Sequence, residues 1–95
     1  MKYIKKFENN QFKKYIIFYY DHFLSLEILE VNSVQKDMII TSELYSYKDN
    51  KLTKEKGHDF AVMNDSYDQI LYQSDSLEEC IDIIPSIYNS NKYNL

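Results

Sequence analysis

One thiol, two imidazoles and 15 carboxylates are the groups in this chain that could do covalent, acid–base or metal chemistry. Nucleophilic catalysis would need Cys80 beside His22 or His58, where an imidazole could draw off the thiol proton. Yet Leu77, Cys80, Ile81 and Ile84 recur at the spacing of one helix face, so Cys80 is expected to pack as a buried thiol. Asp21 and His22, like His58 and Asp59, are adjacent in sequence, and neighbours in an extended chain point to opposite faces. Neither pair is expected to act as acid and base. His58, Asp59, Asp65 and Asp68 match neither a calcium-binding EF-hand loop nor a zinc pair. Gly57 is the only glycine, which excludes phosphate-cradling loops, the dinucleotide fingerprint and the nucleophile elbow, each of which needs several. The reading is therefore of a non-enzymatic chain, with no catalytic residue, no cofactor and no metal site expected.

Charge is where the sequence becomes asymmetric. The net charge is −4, but residues 1–14 hold Lys2, Lys5, Lys6, Lys13 and Lys14 against Glu8 alone. Interleaved with Tyr3, Phe7, Phe12 and Tyr15, that end has the ingredients of a single-strand nucleic-acid binding face, cations for phosphates and rings for bases. The net negative charge and the absence of Arg argue against direct nucleic-acid binding. The ordinary account is a lysine edge that discourages sheet-to-sheet association.

Residues 57–85 carry the opposite sign, with Asp59, Asp65, Asp68, Asp75, Glu78, Glu79 and Asp82 and no Lys. From these, Asp65, Asp68, Asp75, Glu78, Glu79 and Asp82, with Tyr67 at the flank, are expected to form one outward patch that binds a partner. Such a field steers encounters with basic surfaces, including the nucleic-acid channels of nucleases.

The elements that must position these residues follow from periodicity. Residues 2–8 suggest a short strand and Asn9, Asn10 and Gln11 a turn. Residues 12–20 alternate Phe12, Ile16, Phe18 and Tyr20 with Tyr15, Ile17 and Tyr19, a strand apolar on both faces and so central in its sheet. Residues 23–31 read as a strand through Leu24, Leu26 and Ile28, although Glu27 and Glu30 have helical spacing. Asn32 and Ser33 suggest a turn, and residues 34–47 a long strand with Met38, Ile40 and Leu44 on one parity. A hairpin at residues 48–51, a polar loop to Gly57, strands over 58–64 and 69–74, and a turn over 65–68 follow.

Ser76, Leu77, Glu78 and Glu79 have the form of a capping box, the clearest local signal in the chain. The helix it opens should end near Ile83 or Ile84, because Pro85 removes an amide, and residues 89–95 should be a loose tail. The sum is an α+β single domain over residues 1–95: a mainly antiparallel meander of five or six strands with one C-terminal helix on a face. Residues 34–47 could also pair across a two-fold axis in a homodimer.

Lys, Asn, Ile, Tyr and Phe make up 45 of 95 residues, the signature of AT-rich codons found in low-GC bacteria, their plasmids and their phages. A lone cysteine, the lack of an apolar segment after the N-terminal lysines and the lack of any membrane-length apolar run suggest the cytoplasm of a bacterial host, with no membrane partner. In size and composition the chain resembles, in broad type, the phage-encoded inhibitors of CRISPR nucleases. That likeness covers no motif and carries over no residue. It implies a protein-binding inhibitor of the anti-defence kind, whose acidic surface blocks a larger, basic, nucleic-acid-handling effector. A toxin-neutralising immunity or antitoxin protein would use the same electrostatics.

Overall fold

The computed structural model describes residues 12–92, with the side chains of 91 and 92 excepted, so the expected strand at 2–8 and turn at 9–11 lie outside the described residues. The two-faced apolar pattern after Phe12 becomes β1 (Tyr15–Tyr20), in which Ile16, Ile17 and Phe18 are fully packed. A turn at residues 21–24 leads into β2 (Ser25–Val34), which pairs with β3 (Met38–Lys48). Asp49 and Asn50, with φ of 53° and 64°, make the two-residue hairpin turn whose twist suits the flanking strands, and β4 (Lys51–Lys54) returns along β3. β5 (Asp59–Met63) lies on the same side of β3, farther along it. A 3-10 segment (Asn64–Gln69) then carries the chain to β6 (Ile70–Ser74), which pairs with the free side of β1, and α1 (Leu77–Lys92) follows. The fold is an antiparallel six-stranded sheet with one C-terminal helix, an α+β domain.

Several expected boundaries move. The meander holds only from β1 to β4, because β5 and β6 lie at opposite edges of the sheet. Residues 23 and 24 belong to the turn, and β2 runs through Asn32 and Ser33, the expected turn falling instead at residues 35–37, where the Gln35 amide donates to the Met38 carbonyl at 2.8 Å. The long third strand is no free edge for a homodimer, since β2 flanks it on one side and β4 and β5 on the other. In β3 the buried residues are Ile39, Thr41 and Tyr47, while Met38 and Ile40 are only partly covered, and the buried Thr41 hydroxyl is satisfied by donating to the Phe60 carbonyl at 2.6 Å.

The sheet is strongly curled. β1 and β5 are three strand spacings apart, which in a flat sheet would be about 14 Å, yet the rings of Phe18 and Phe60 sit 5.7 Å apart. Two register shifts between β2 and β3, one passing over Leu44 and one over Asn32, supply the local bending that bulges give. Inside the curl Ile16, Phe18, Leu29, Ile39, Val62 and Tyr67 form one core. On the other face Ile17, Leu26, Ile28 and Tyr47 pack under Cys80 and Ile84 of α1. The 3-10 segment straps the inner face: the Asn64 amide donates to the Asp37 carbonyl at 2.9 Å, and Gln69 Nε2 donates to the Tyr19 carbonyl at 2.8 Å.

The helix starts where its cap predicts. Ser76 Oγ accepts from the Glu79 amide at 3.2 Å, but the return limb of the box runs through a third residue. The Ser76 amide donates to Ser74 Oγ at 3.0 Å, and that hydroxyl donates in turn to the Glu79 carboxylate. Ser76→Ala should therefore cost about 1 kcal/mol, read as a shift in urea midpoint at constant slope.

Pro85 does not end the helix, which continues to Lys92, so residues 89–92 of the expected tail are helical and 93–95 lie outside the described residues. Proline in a helix interior costs roughly 3 kcal/mol. Against that cost, Ile87 and Tyr88 beyond it pack against the sheet, with the Tyr88 ring 5.2 Å from Tyr47 and its hydroxyl accepting from the Asp49 amide at 3.1 Å.

Candidate functional site

The cap fixes the orientation of the acidic residues on α1. With Cys80 and Ile84 turned onto the sheet, Glu78, Glu79 and Asp82 are left exposed, and together with Tyr72 of β6 they border one shallow hollow. Glu79 is held in place: hydrogen bonds from Ser74 and then Tyr72 keep its carboxyl below the usual range. Glu78 and Asp82 stand four residues apart, a like-charge spacing that costs an isolated helix about 0.2–0.5 kcal/mol.

The rest of the expected patch is dispersed. Asp65 and Asp68 are exposed on the 3-10 segment, which packs on the inner core and not under α1. Asp75 is exposed, and its Oδ1 accepts from the Lys14 amide at 2.9 Å, tying the β6–α1 junction to the chain before β1. Tyr67 does not flank a surface at all. It is 3% exposed, its ring meets Phe12 edge-on at 5.3 Å, and burial with the nearby charge of Asp37 pushes its hydroxyl pKa up. A 3-10 turn brings Tyr67 inward between two outward aspartates, because three residues per turn separate Asp65, Tyr67 and Asp68 differently from an extended chain.

A second acidic group lies on the inner face at the opposite end of β1. Glu27 of β2 lies across from Ser46 of β3, while Glu43 of β3 lies across from Leu29, so both carboxylates share the face of the inner core. Glu55, just past β4, joins them by accepting from Ser46 Oγ at 2.8 Å. They line a cleft of about 410 Å3 that also takes in Tyr20, Phe23 and Lys48. Glu27 is only 8% exposed, and Ser25 Oγ donates to its Oε2 at 3.3 Å. Burial first, then the charges of Glu43 and Glu55, raises its pKa to about 7. Glu43 is raised as well, by burial and Glu55, with His58 acting in the opposite sense.

In the sequence Glu27, alternating with Leu26 and Ile28, and Glu43, off the parity of Met38, Ile40 and Leu44, both read as polar-face residues of their strands. The available signal was that Glu27 shares its parity with Leu29, in a strand too apolar to leave either side dry of core contacts. Glu55 is brought in by the β4 hairpin, and nothing local announces it.

The thiol and the two imidazoles sit in three separate environments. Cys80 is fully buried in the helix face core, and burial followed by the Glu79 charge pushes its thiol up to about 11. His22 stacks beside Tyr20, and His58 is an exposed loop residue whose carbonyl accepts from the Glu43 amide at 2.9 Å. Among the described residues no group of three or more His, Cys, Asp or Glu side chains is arranged to hold a metal ion, and no helix is long and apolar enough to cross a membrane. No protein-family model, curated protein or solved structure matches this chain.

Proposed function

We propose that this chain is a non-enzymatic inhibitor that binds a basic surface on a larger protein, using the outer carboxylates of α1. The observation that carries the reading is the gathering of Glu78, Glu79 and Asp82 around one exposed hollow on a helix whose opposite side is locked to the sheet. Residues 57–85 contain no Lys, so this stretch supplies no cation of its own to offset them. Lys13, from the chain before β1, acts on Glu79 alone of the three, and a rigid, predominantly acidic face of this kind competes for surfaces built to hold phosphates. The AT-rich composition suits an anti-defence protein of a phage or mobile element, with a nucleic-acid-guided nuclease as the partner class.

The test is to reverse charge in two separate places. The double variant Glu78→Lys with Asp82→Lys should slow association with the co-purified partner about tenfold at low salt, and the difference should shrink as salt rises. The double variant Asp65→Lys with Asp68→Lys, on the far strap, should associate at close to the wild-type rate. Both should unfold at the wild-type temperature within a few degrees. An unchanged rate in the helix variant would remove α1 from the account, and identification of the partner by mass spectrometry decides its class.

A further inference from the structure

The turn at residues 21–24 presents two large apolar side chains to solvent, Phe23 and Leu24, each 57% exposed. It is a built turn: the Phe23 amide donates to the Tyr20 carbonyl and the Leu24 amide to the Asp21 carbonyl, each at 3.3 Å. Leu24 sits at φ 51°, a left-handed conformation that L side chains adopt only at a cost. Phe23 is braced from behind, its ring edge-on to Tyr20 at 5.1 Å, while Tyr20 in turn meets Phe60 at 5.6 Å. The aromatic stack thus holds an apolar knob away from the core at the rim of the cleft that Glu27, Glu43 and Glu55 line.

We propose that this end of the sheet is a second protein-docking surface, and that it takes a segment in which a Lys or Arg side chain follows a bulky aliphatic one. The aliphatic group would lie on Phe23 and Leu24, and the cation would enter the cleft toward Glu43 and Glu55. Charge complementarity selects this occupant. Among the described residues Lys48 is the one Lys lining the cleft, against three glutamates, and His58 is the further basic group acting on Glu43. A cation brought among them relieves the mutual repulsion of Glu27, Glu43 and Glu55, and the exposed Phe23 ring and Leu24 side chain supply apolar contact area for its neighbour. Nucleic acid would be repelled by the same carboxylates. This surface is independent of the one on α1, since the Asp21 turn and the start of α1 lie at opposite ends of β1.

The test uses the whole 15N-labelled chain and three short capped peptides followed by NMR: Leu-Arg-Leu, Leu-Gln-Leu and Ser-Arg-Ser. Leu-Arg-Leu should shift the amides of Phe23, Leu24, Glu27 and Glu43, and each of the other two peptides should bind about tenfold more weakly. Leu24→Gly removes one of the two apolar side chains of the knob while relieving the positive φ, so it should fold at least as well and lose about tenfold in peptide affinity. The double variant Glu43→Gln with Glu55→Gln should lose the preference for Leu-Arg-Leu over Leu-Gln-Leu. Equal binding of all three peptides, shifts confined to residues 77–82, or full affinity in the folded Leu24→Gly variant would each overturn the proposal. Shifts confined to residues 77–82 would place the basic peptide on the α1 surface instead, whereas loss of binding in the Leu24→Gly variant leaves the charge-reversal test of α1 untouched.

Discussion

Replacing Tyr67 with Ala should cost the fold about 3–5 kcal/mol, making it the most damaging of the substitutions considered. Tyr67 is the one side chain of the 3-10 strap that enters the inner core, and it is 3% exposed there beside Phe12, Ile16, Phe18, Leu29 and Val62. A curled sheet cannot close its own inner face, because β5 and β6 stand at opposite edges joined only through this strap. Removing the ring leaves a cavity that the strap cannot collapse into, since its two ends are pinned at Asp37 and Tyr19. For a domain of this size the loss corresponds to a fall in melting temperature of more than about 12 °C. Tyr67→Phe keeps the ring and should retain most of the stability. Urea unfolding of both variants decides the matter: an Ala variant within about 1 kcal/mol of wild type would mean the strap is an ornament on a core that closes without it.

That same residue shows where sequence reading reaches its limit. The alternation in β1 is legible because period two is a local property, and both of its faces are assigned correctly down to Phe12, Ile16, Phe18 and Tyr20 inward and Tyr15, Ile17 and Tyr19 toward the helix. The cap at Ser76 is legible for the same reason, since its hydrogen bonds reach only three residues. Tyr67 is not, because a six-residue polar turn between aspartates has the composition of solvent-facing loop, and only the curl of four other strands creates the hole it fills. Pro85 fails differently: its local cost is real, but tertiary packing of Ile87 and Tyr88 outweighs it. The acidic site divides along the same line. Glu78, Glu79 and Asp82 are found from helical spacing, whereas Asp65 and Asp68 were joined to them by proximity in sequence, which the strap does not turn into proximity in space. The glutamate cleft needs pairing registers between three strands before Glu27, Glu43 and Glu55 can be seen to meet.

Glu27→Gln should stabilise the protein by about 1–2 kcal/mol near pH 8 and change little near pH 5. In the folded chain the Glu27 carboxyl holds its proton up to about pH 7, against an ordinary value of 4.5, because it is buried and faces the charges of Glu43 and Glu55. The folded state therefore binds this proton more tightly than the unfolded state does. The stability linked to the neutral carboxyl is fully present below about pH 4.5, and it is lost as pH rises through about 7. A shift of this size would correspond to roughly 3 kcal/mol for a dry site, and water in the open cleft reduces it to the smaller figure. Glu43, also raised, adds to the trend with the same sign. Glu79, held low, acts at the other extreme, where its contribution is lost as pH falls through its lowered value. Wild type should accordingly lose stability between about pH 5 and pH 8, while Glu27→Gln, which cannot ionise, should trace a flatter line. Glu43→Gln provides the internal check, since removing one of the two charges that oppose ionisation should move the Glu27 midpoint downward without abolishing it. Parallel pH–stability curves for wild type and Glu27→Gln would show that the buried carboxyl titrates as though it stood in water, and that the three glutamates do not sense one another across the cleft.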